Sequence, residues 1–149
     1  MADLINYQIK CANEDDIYSH LLSCADTFIP PLETSVDIKA YAKKIFENAV
    51  TFEAWTDKKL VGLVAAYLND QTKLKAFITN VSIMSEYRGK GIALELLSRC
   101  VTLSKNKLFS EILLEVAADN KSAIQLYLKQ GFTQQSETAG RILMTYKLN

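Results

Sequence analysis

Residues 81–93, Val-Ser-Ile-Met-Ser-Glu-Tyr-Arg-Gly-Lys-Gly-Ile-Ala, constrain the fold of this chain more than any other stretch. An alternating apolar run enters a turn holding Gly89 and Gly91, and a helical apolar stripe starts at once with Ala93, Leu96, Leu97, Cys100 and Leu103. Such a strand–turn–helix unit needs a following strand to return to, so it predicts a crossover and a parallel pair. The glycines let the backbone curl close to a ligand. The first N–H groups of the helix lack intrahelical partners and lie at the positive end of its dipole. With Arg88 and Lys90 alongside, the turn is chemically suited to an anion, above all a phosphate or pyrophosphate. A Walker motif is ruled out, because Gly89-Lys90-Gly91 lacks the Ser/Thr and the spacing. The G-x-G-x-x-G fingerprint matches at Gly89 and Gly91 but meets Leu94 where the third glycine belongs, although Glu115 stands where a ribose-binding acid would. A plain strand-to-helix turn with exposed basic residues is the competing interpretation.

The rest of the chain supplies the elements around that unit. Ile5–Lys10 reads as a strand. Asn13 caps a helix carrying Ile17, Leu21, Cys24 and Phe28, and Pro30-Pro31 bars helix beyond it. A second helix from Asp37 has Ile38, Tyr41, Ala42, Ile45, Phe46 and Ala49 on one stripe. Strands follow over 51–56, 60–68 and 74–84, the first two joined by the tight turn at Asp57-Lys58-Lys59. After the glycine turn and its helix come a strand over 112–116, a helix capped by Asn120 and stopped by Gly131, and two strands joined near Ala139-Gly140. The order β-α-α-β-β-β-α-β-α-β-β predicts an α/β fold with a mixed sheet and helices on both faces. With no repeat, linker or low-complexity segment, residues 1–149 read as one domain.

Two blocks carry a resemblance. Arg88-Gly89-Lys90-Gly91-Ile92-Ala93 resembles the Arg/Gln-x-x-Gly-x-Gly/Ala signature of the GCN5-related N-acetyltransferase (GNAT) superfamily. Residues 120–132, Asn-Lys-Ser-Ala-Ile-Gln-Leu-Tyr-Leu-Lys-Gln-Gly-Phe, resemble that family's Asn-x-x-Ala-x-x-x-Tyr-x-x-x-Gly-Phe stretch. The helix and strand between the blocks, and the element order, are also the family's. The resemblance implies the GNAT acyl-CoA N-acyltransferase fold and acetyl-CoA as co-substrate. It implies that Arg88, Gly89, Lys90, Gly91, Ile92 and Ala93 hold the pyrophosphate. Val81, Ser82 and Ile83 would offer a free strand edge to the pantetheine arm, often next to a bulge. Asn120 would meet the same arm, and Tyr127 would lie near the thioester sulfur.

The residues themselves leave rivals to these roles. Asn120 also reads as a helix cap, and a cap can serve a ligand as well. Tyr127 sits on a core stripe with Ala123, Ile124 and Leu128; the resemblance makes it instead the acid that protonates the departing thiolate. Gly131-Phe132 reads as a helix stop followed by a core aromatic. The general base is open among His20, Glu53, Glu115, Tyr67 and a water chain. For the acceptor, His20, Glu53, Asn69, Thr79 and Asn80 are candidate polar contacts, and Phe28 and Ile29, in the apolar stretch 28–35, a candidate pocket wall. Cys24 and Cys100 lie on apolar stripes and read as core rather than as acetyl carriers.

Composition narrows the function classes. Lys+Arg and Asp+Glu are 17 each, so no global basic excess favours nucleic acid. One histidine and three cysteines without a CxxC pair argue against a catalytic or structural zinc site, and no metal is expected. The N-terminal residues lack a signal-peptide layout, and the apolar stretch 60–68 is about half a membrane span, so a cytoplasmic location and no membrane partner are expected. Family members are often dimers, so a homodimer is the assembly the resemblance suggests. The expected activity is transfer of the acetyl group of acetyl-CoA to a primary amine of a small molecule, by direct attack in a ternary complex. The alternatives are a protein N-terminal or lysine acetyltransferase, and a non-catalytic acyl-CoA-binding module of the same fold.

Overall fold

A computed structural model describes residues 4–25, 37–72 and 74–148. Eleven regular elements follow one another: β1 (Asn6–Ile9), α1 (Glu14–Cys24), α2 (Ile38–Asn48), β2 (Val50–Thr56), β3 (Lys59–Tyr67), β4 (Lys75–Ile83), α3 (Ile92–Asn106), β5 (Glu111–Ala117), α4 (Lys121–Gln130), β6 (Thr133–Thr138) and β7 (Arg141–Lys147). The order is the one expected; α1 ends at Cys24, and Phe28, read as the last residue of its stripe, lies outside the described residues. A 3-10 turn at Ser85–Tyr87, between β4 and α3, is an addition.

Local chemistry sets the helix starts. Asn13 accepts from Asp16 N while the Asp16 side chain accepts from Asn13 N, a reciprocal capping box. Asp37 accepts from Lys39 N and Ala40 N at the start of α2. The Asp57-Lys58 hairpin turn holds both residues at positive φ, 54° and 78°, the left-handed geometry that two-residue hairpins require.

The seven strands form one sheet in the order β1-β2-β3-β4-β5-β7-β6. Among the described residues, β4 and β5 are the one parallel pair, joined by α3 as the crossover helix. Apolar residues pack on both faces. On one, α3 and α4 bury Leu96, Leu97, Cys100 and Tyr127 against Phe52, Ile78 and Leu114. On the other, α1 and α2 bury Ile17, Leu21, Ala42 and Ile45 against Leu60, Leu63 and Ala65. Gly62 brings α3 close: a Cβ there would stand 2.9 Å from Ile92 Cγ2 and 3.0 Å from Ile83 Cδ1.

Two irregularities of β4 position the site. Ala65 pairs with Asn80 but Ala66 pairs with Ile78, so Thr79 is an extra, bulged residue. The bulge reverses the side-chain alternation. Ala76 and Ile78 face α3 before it, and Ile83 does so after it, so Asn80 and Ser82 are turned toward α1 and α2. The second irregularity is a split. β4 pairs with β5 only from Lys75↔Glu111 to Ile78↔Leu114, and beyond that point the two strands part while β5 continues along β7 to Ala117.

Candidate active site

The split opens into a cleft of about 900 Å³. One wall is the free edge of β4, Thr79 to Ile83. The opposite wall is Glu115, Val116 and Ala117 of β5 with Asn120, Ala123 and Tyr127 of α4, and the end is closed by the turn into α3.

The register shows which backbone groups the edge offers. Met84 N donates to Val61 O at 2.9 Å. In an antiparallel ladder the hydrogen-bonding direction alternates residue by residue, so Ser82 and Asn80 bond toward β3 and Val81 and Ile83 point their N–H and C=O into the split. Val81 and Ile83 thus supply the free edge. The backbone of Ser82 does not, and this residue reaches the cleft through its side chain.

The turn provides an array of amides. Gly89 and Gly91 adopt φ of 73° and 80°, and no atom lies within 4 Å of a Cβ built on either. Gly91 is the N-cap of α3 and has no side chain to satisfy the first turn. The first intrahelical bond is Glu95 N to Gly91 O, at 3.1 Å. The N–H groups from Gly89 to Leu94 therefore have no protein acceptor among the described residues. Arg88 departs from expectation: its amide donates to Ser85 O at 3.3 Å, closing the 3-10 turn, and its Nε is 3.4 Å from Ile83 O. Arg88 contributes a guanidinium to the cleft, not an amide. Lys90 is exposed in the turn and is not part of the cleft lining.

Asn120 is the cap its sequence position allows, placed on the cleft wall. Its Oδ1 accepts from Ala123 N at 3.3 Å as the cap of α4, and the residue also lines the cleft. Tyr127 is 8% exposed and packs edge-on against Phe132, with ring centroids 6.0 Å apart. The core reading is met, and the residue also lines the cleft. Burial pushes its phenol up to about 12, so it is fully protonated at neutral pH.

A polar wall faces these groups from the α1–α2 side. The Tyr41 hydroxyl donates to Thr79 O at 2.7 Å and is 2.8 Å from Thr79 Oγ1. Ser82 Oγ lies 2.7 Å from Asn80 Oδ1 and 2.9 Å from His20 Nε2. Tyr41, Thr79, Asn80 and Ser82 line the cleft, while His20 stands behind them at 2% exposure. Burial drives the His20 imidazole down to about 4, against the pull of its bonds to Leu60 and Ser82. It is neutral, with Nδ1 3.0 Å from Leu60 O.

The other candidates lie elsewhere. Glu53 is fully buried on β2, where its carboxylate accepts from Cys11 N, Ala12 N, Trp55 Nε1 and Thr51 Oγ1. Those four donors take the place of a solvating cleft, and Glu53 ties the β1–α1 connection to β2. Asn69 is exposed in the β3–β4 connection, at the end of β4 remote from the turn, outside the lining. Phe28 and Ile29, with the rest of 28–35, lie outside the described residues. Tyr67 has its hydroxyl buried without a hydrogen-bond partner among the described residues and does not line the cleft. Glu115 does, half-exposed on β5, with Arg141 Nε of β7 4.0 Å away. Cys24 and Cys100 are buried, with thiols pushed up to about 11 and about 12 by burial, which suits core residues rather than nucleophiles. Tyr41 and Arg141 were absent from the sequence-derived site. Tyr41 hides in an apolar helical stripe, and Arg141 stands at a strand start with no motif around it.

A split between parallel strands at a bulge, closed by unsatisfied helix N-terminal amides, matches a known family in sequence as well. The profile of the Acetyltransferase (GNAT) family matches residues 15–132. The chain belongs to the GNAT family. Among curated GNAT relatives, N-alpha-acetyltransferase 30 of Schizosaccharomyces pombe is 33% identical over 100 residues, covering 62% of this chain and 67% of that protein. N-alpha-acetyltransferase MAK3 of Arabidopsis thaliana is 32% identical over 82 residues, and the match spans 54% of this chain and 43% of that protein. Streptothricin acetyltransferase of Escherichia coli is 32% identical over 101 residues, 68% of this chain and 55% of that protein. The fold agrees with solved structures. PaiA N-acetyltransferase of Thermoplasma acidophilum, solved with coenzyme A, superposes with a TM-score of 0.75 at 19% identity, over 95% of this chain and 99% of that one. The ribosomal-protein-S18-alanine N-acetyltransferase of Escherichia coli gives 0.76 at 19% identity, over 97% and 94%. Among the described residues no helix is long and apolar enough to cross a membrane.

Proposed function

We propose that this GNAT protein transfers the acetyl group of acetyl-CoA to a primary amine, and that its acceptor is the α-amino group of a polypeptide. One observation carries the donor half of this reading: the unsatisfied amides from Gly89 to Leu94 stand at the end of a strand edge where the Val81 N–H and C=O and the Ile83 N–H point into the split, while the Ile83 carbonyl takes Arg88 Nε. A diphosphate fits the former, and an extended arm with amide groups fits the latter as an added strand. The thioester supplies an activated acetyl group, whose carbon forms a bond to the amine nitrogen as its bond to sulfur breaks.

The chain's own groups then have two proton tasks. Tyr127, held protonated by burial, donates a hydrogen bond to the departing sulfur. Because its phenol lies above the ordinary thiol range of about 8.5, stabilisation of the thiolate by that hydrogen bond precedes any full transfer. Glu115 is the carboxylate of the cleft lining, and it takes the ammonium proton directly or through water. Val81 or Ile83 N–H on the free edge polarises the thioester carbonyl.

The polypeptide acceptor is favoured over the small amine by the two N-alpha-acetyltransferases matched at 32–33% identity. The cleft agrees with it. On the face of α1 and α2, Leu113, Glu115, Arg141 and Leu143 are exposed or half-buried, leaving a floor along which a chain end can lie. The small-amine reading is kept alive by streptothricin acetyltransferase at 32% identity. Calorimetry with coenzyme A, followed by thiol release from acetyl-CoA with free-amino-terminus peptides and with streptothricin-like amines, tests the whole. Micromolar coenzyme binding and turnover with peptides are expected. Failure to bind coenzyme A would remove the reading, and turnover with small amines alone would restore the other acceptor.

A further inference from the structure

Thr79 is the one residue of β4 with no register partner on either side. β3 passes from Ala65↔Asn80 to Ala66↔Ile78 and skips it, and β5 is paired no further than Ile78↔Leu114. A half-buried backbone carbonyl left this way needs a donor from elsewhere. Tyr41 of α2 provides it: its hydroxyl donates to Thr79 O at 2.7 Å. A phenol carries a single hydrogen, so the 2.8 Å contact between the same hydroxyl and Thr79 Oγ1 runs the other way, with the threonine donating. The two residues thus exchange two hydrogen bonds, as a ladder pair does, but across the layer between helix and sheet. Burial holds the Tyr41 phenol above its ordinary 10, so its hydrogen stays in place. The helix brings the ring there. Ile38, Ala42 and Ile45 bury the inner stripe of α2 against the sheet, Tyr41 packs beside them, and the Asp37 cap fixes the helix start.

Both flanks of this point are held independently. Before it, β4 is laddered to β5 through Ile78. After it, Met84 N is bonded to Val61 O, and Gly62 lets Ile92, at the first turn of α3, close on the sheet. Between the flanks the bulge alters the twist of the strand, and its angle sets where the Val81 N–H and C=O and the Ile83 N–H point. We infer that Tyr41 is a positioning residue for the donor: by exchanging two hydrogen bonds with Thr79 it fixes the angle at which β4 leaves β5, and so aims the strand edge along the arm of the coenzyme. The turn from Gly89 to Leu94 has its own supports and does not depend on it. The grip on the coenzyme is therefore divided, with Tyr41 governing the arm and the glycine turn the diphosphate. A residue serving stability alone would weaken both grips or neither. The inference deepens the acetyltransferase reading and rests on it for the identity of the ligand.

Tyr41→Phe removes the hydroxyl, keeps the ring, and leaves the Thr79 carbonyl to water from the cleft. Coenzyme A is measured by calorimetry, and ADP, which has the diphosphate without the arm, by its competition with coenzyme A. Tyr41→Phe should weaken coenzyme A about tenfold, the worth of one well-placed hydrogen bond, and leave ADP within about twofold of wild type. Gly91→Val, by contrast, should weaken both. Infrared spectra of bound acetyl-CoA carrying ¹³C in its carbonyl give a second readout. The wild type should lower the carbonyl stretch relative to free acetyl-CoA, because an edge N–H polarises it, and Tyr41→Phe should reverse most of that shift. If Tyr41→Phe does not fold, Thr79→Val removes only the threonine hydroxyl; it should weaken coenzyme A about threefold and again spare ADP. Unchanged coenzyme affinity in either folded variant, a carbonyl stretch that Tyr41→Phe does not move, or equal losses of coenzyme A and ADP would each overturn the assignment and leave the acetyltransferase reading in place. Wild-type protein that does not bind coenzyme A would remove both.

Discussion

Tyr127 and Glu53 show how one kind of side chain is assigned its task by its surroundings. Tyr127 is nearly as buried as the core around it, yet it lines the cleft, and its hydroxyl makes no hydrogen bond with any described residue. Tyr127→Phe should therefore keep the packing against Phe132 and lower kcat on the order of a hundredfold, the usual worth of a positioned acid. Coenzyme affinity by calorimetry should not move, and equal rates in the two proteins would exclude the acid role. Glu53 has the opposite profile. Its four donors come from β1–α1, β2 and Trp55, and the cleft is elsewhere. Glu53→Gln replaces a charged acceptor by a carboxamide that turns an NH₂ on those donors. A loss of about 2–3 kcal/mol in urea unfolding is expected, with kcat per folded molecule retained. A selective loss of turnover at full stability would return Glu53 to the list of bases. From sequence Glu53 and Glu115 were both candidate bases, because nothing local distinguishes a carboxylate met by amides from one met by water.

At the scale of elements, the turn into α3 and its seat on the sheet form one device. Gly91 holds φ at 80°, a conformation that a β-branched residue adopts only under strain. Gly91→Val should cut coenzyme affinity at least tenfold by re-aiming the amides that follow, rather than by a clash inside the protein. Gly140, at φ 78° in the β6–β7 turn and with equally open surroundings, is the control. Gly140→Val should cost comparable stability and leave coenzyme binding alone, and equal losses of affinity in both variants would take the turn out of the site. Gly62 works from beneath. Gly62→Ala drives a methyl into Ile92 and Ile83 and should cost about 1–3 kcal/mol as an overpacked contact, displacing the first turn of α3 and weakening coenzyme binding along with stability. The turn and its helix were legible in the sequence because glycine spacing and apolar period are local signals. The bulge at Thr79 was not, since nothing in the Ile-Thr-Asn run says which residue will lack a partner. That is decided by the register β3 imposes.

For the whole molecule, the buried histidine makes stability depend on pH in a window where few other groups titrate. Burial lowers His20 from its ordinary 6.5 to about 4, so between those values the unfolded chain binds a proton that the folded one refuses. Its contribution to stability is complete above about 6.5 and is lost as pH falls toward 4, with a slope of up to about 1.4 kcal/mol per pH unit. Unfolding free energies measured between pH 7 and 5 should fall for the wild type and stay nearly flat for His20→Gln; parallel curves would mean that His20 is protonated in the fold. The same His20, read from sequence as a base candidate, is set by the tertiary structure behind the cleft wall. By itself the sequence determined the element order, the mixed sheet, the amide-rich turn and the Asn120–Phe132 helix, since capping, periodicity and glycine geometry act over a few residues. Only the tertiary structure decided where β4 and β5 part, that Asn80 and Ser82 turn toward α1 and α2, that Arg88 spends its amide within the turn, and that Tyr41 and Arg141 join the site. Each of those depends on strands and helices distant in sequence meeting in one register, and the energy that fixes the register is summed over the whole sheet and carried by no single motif.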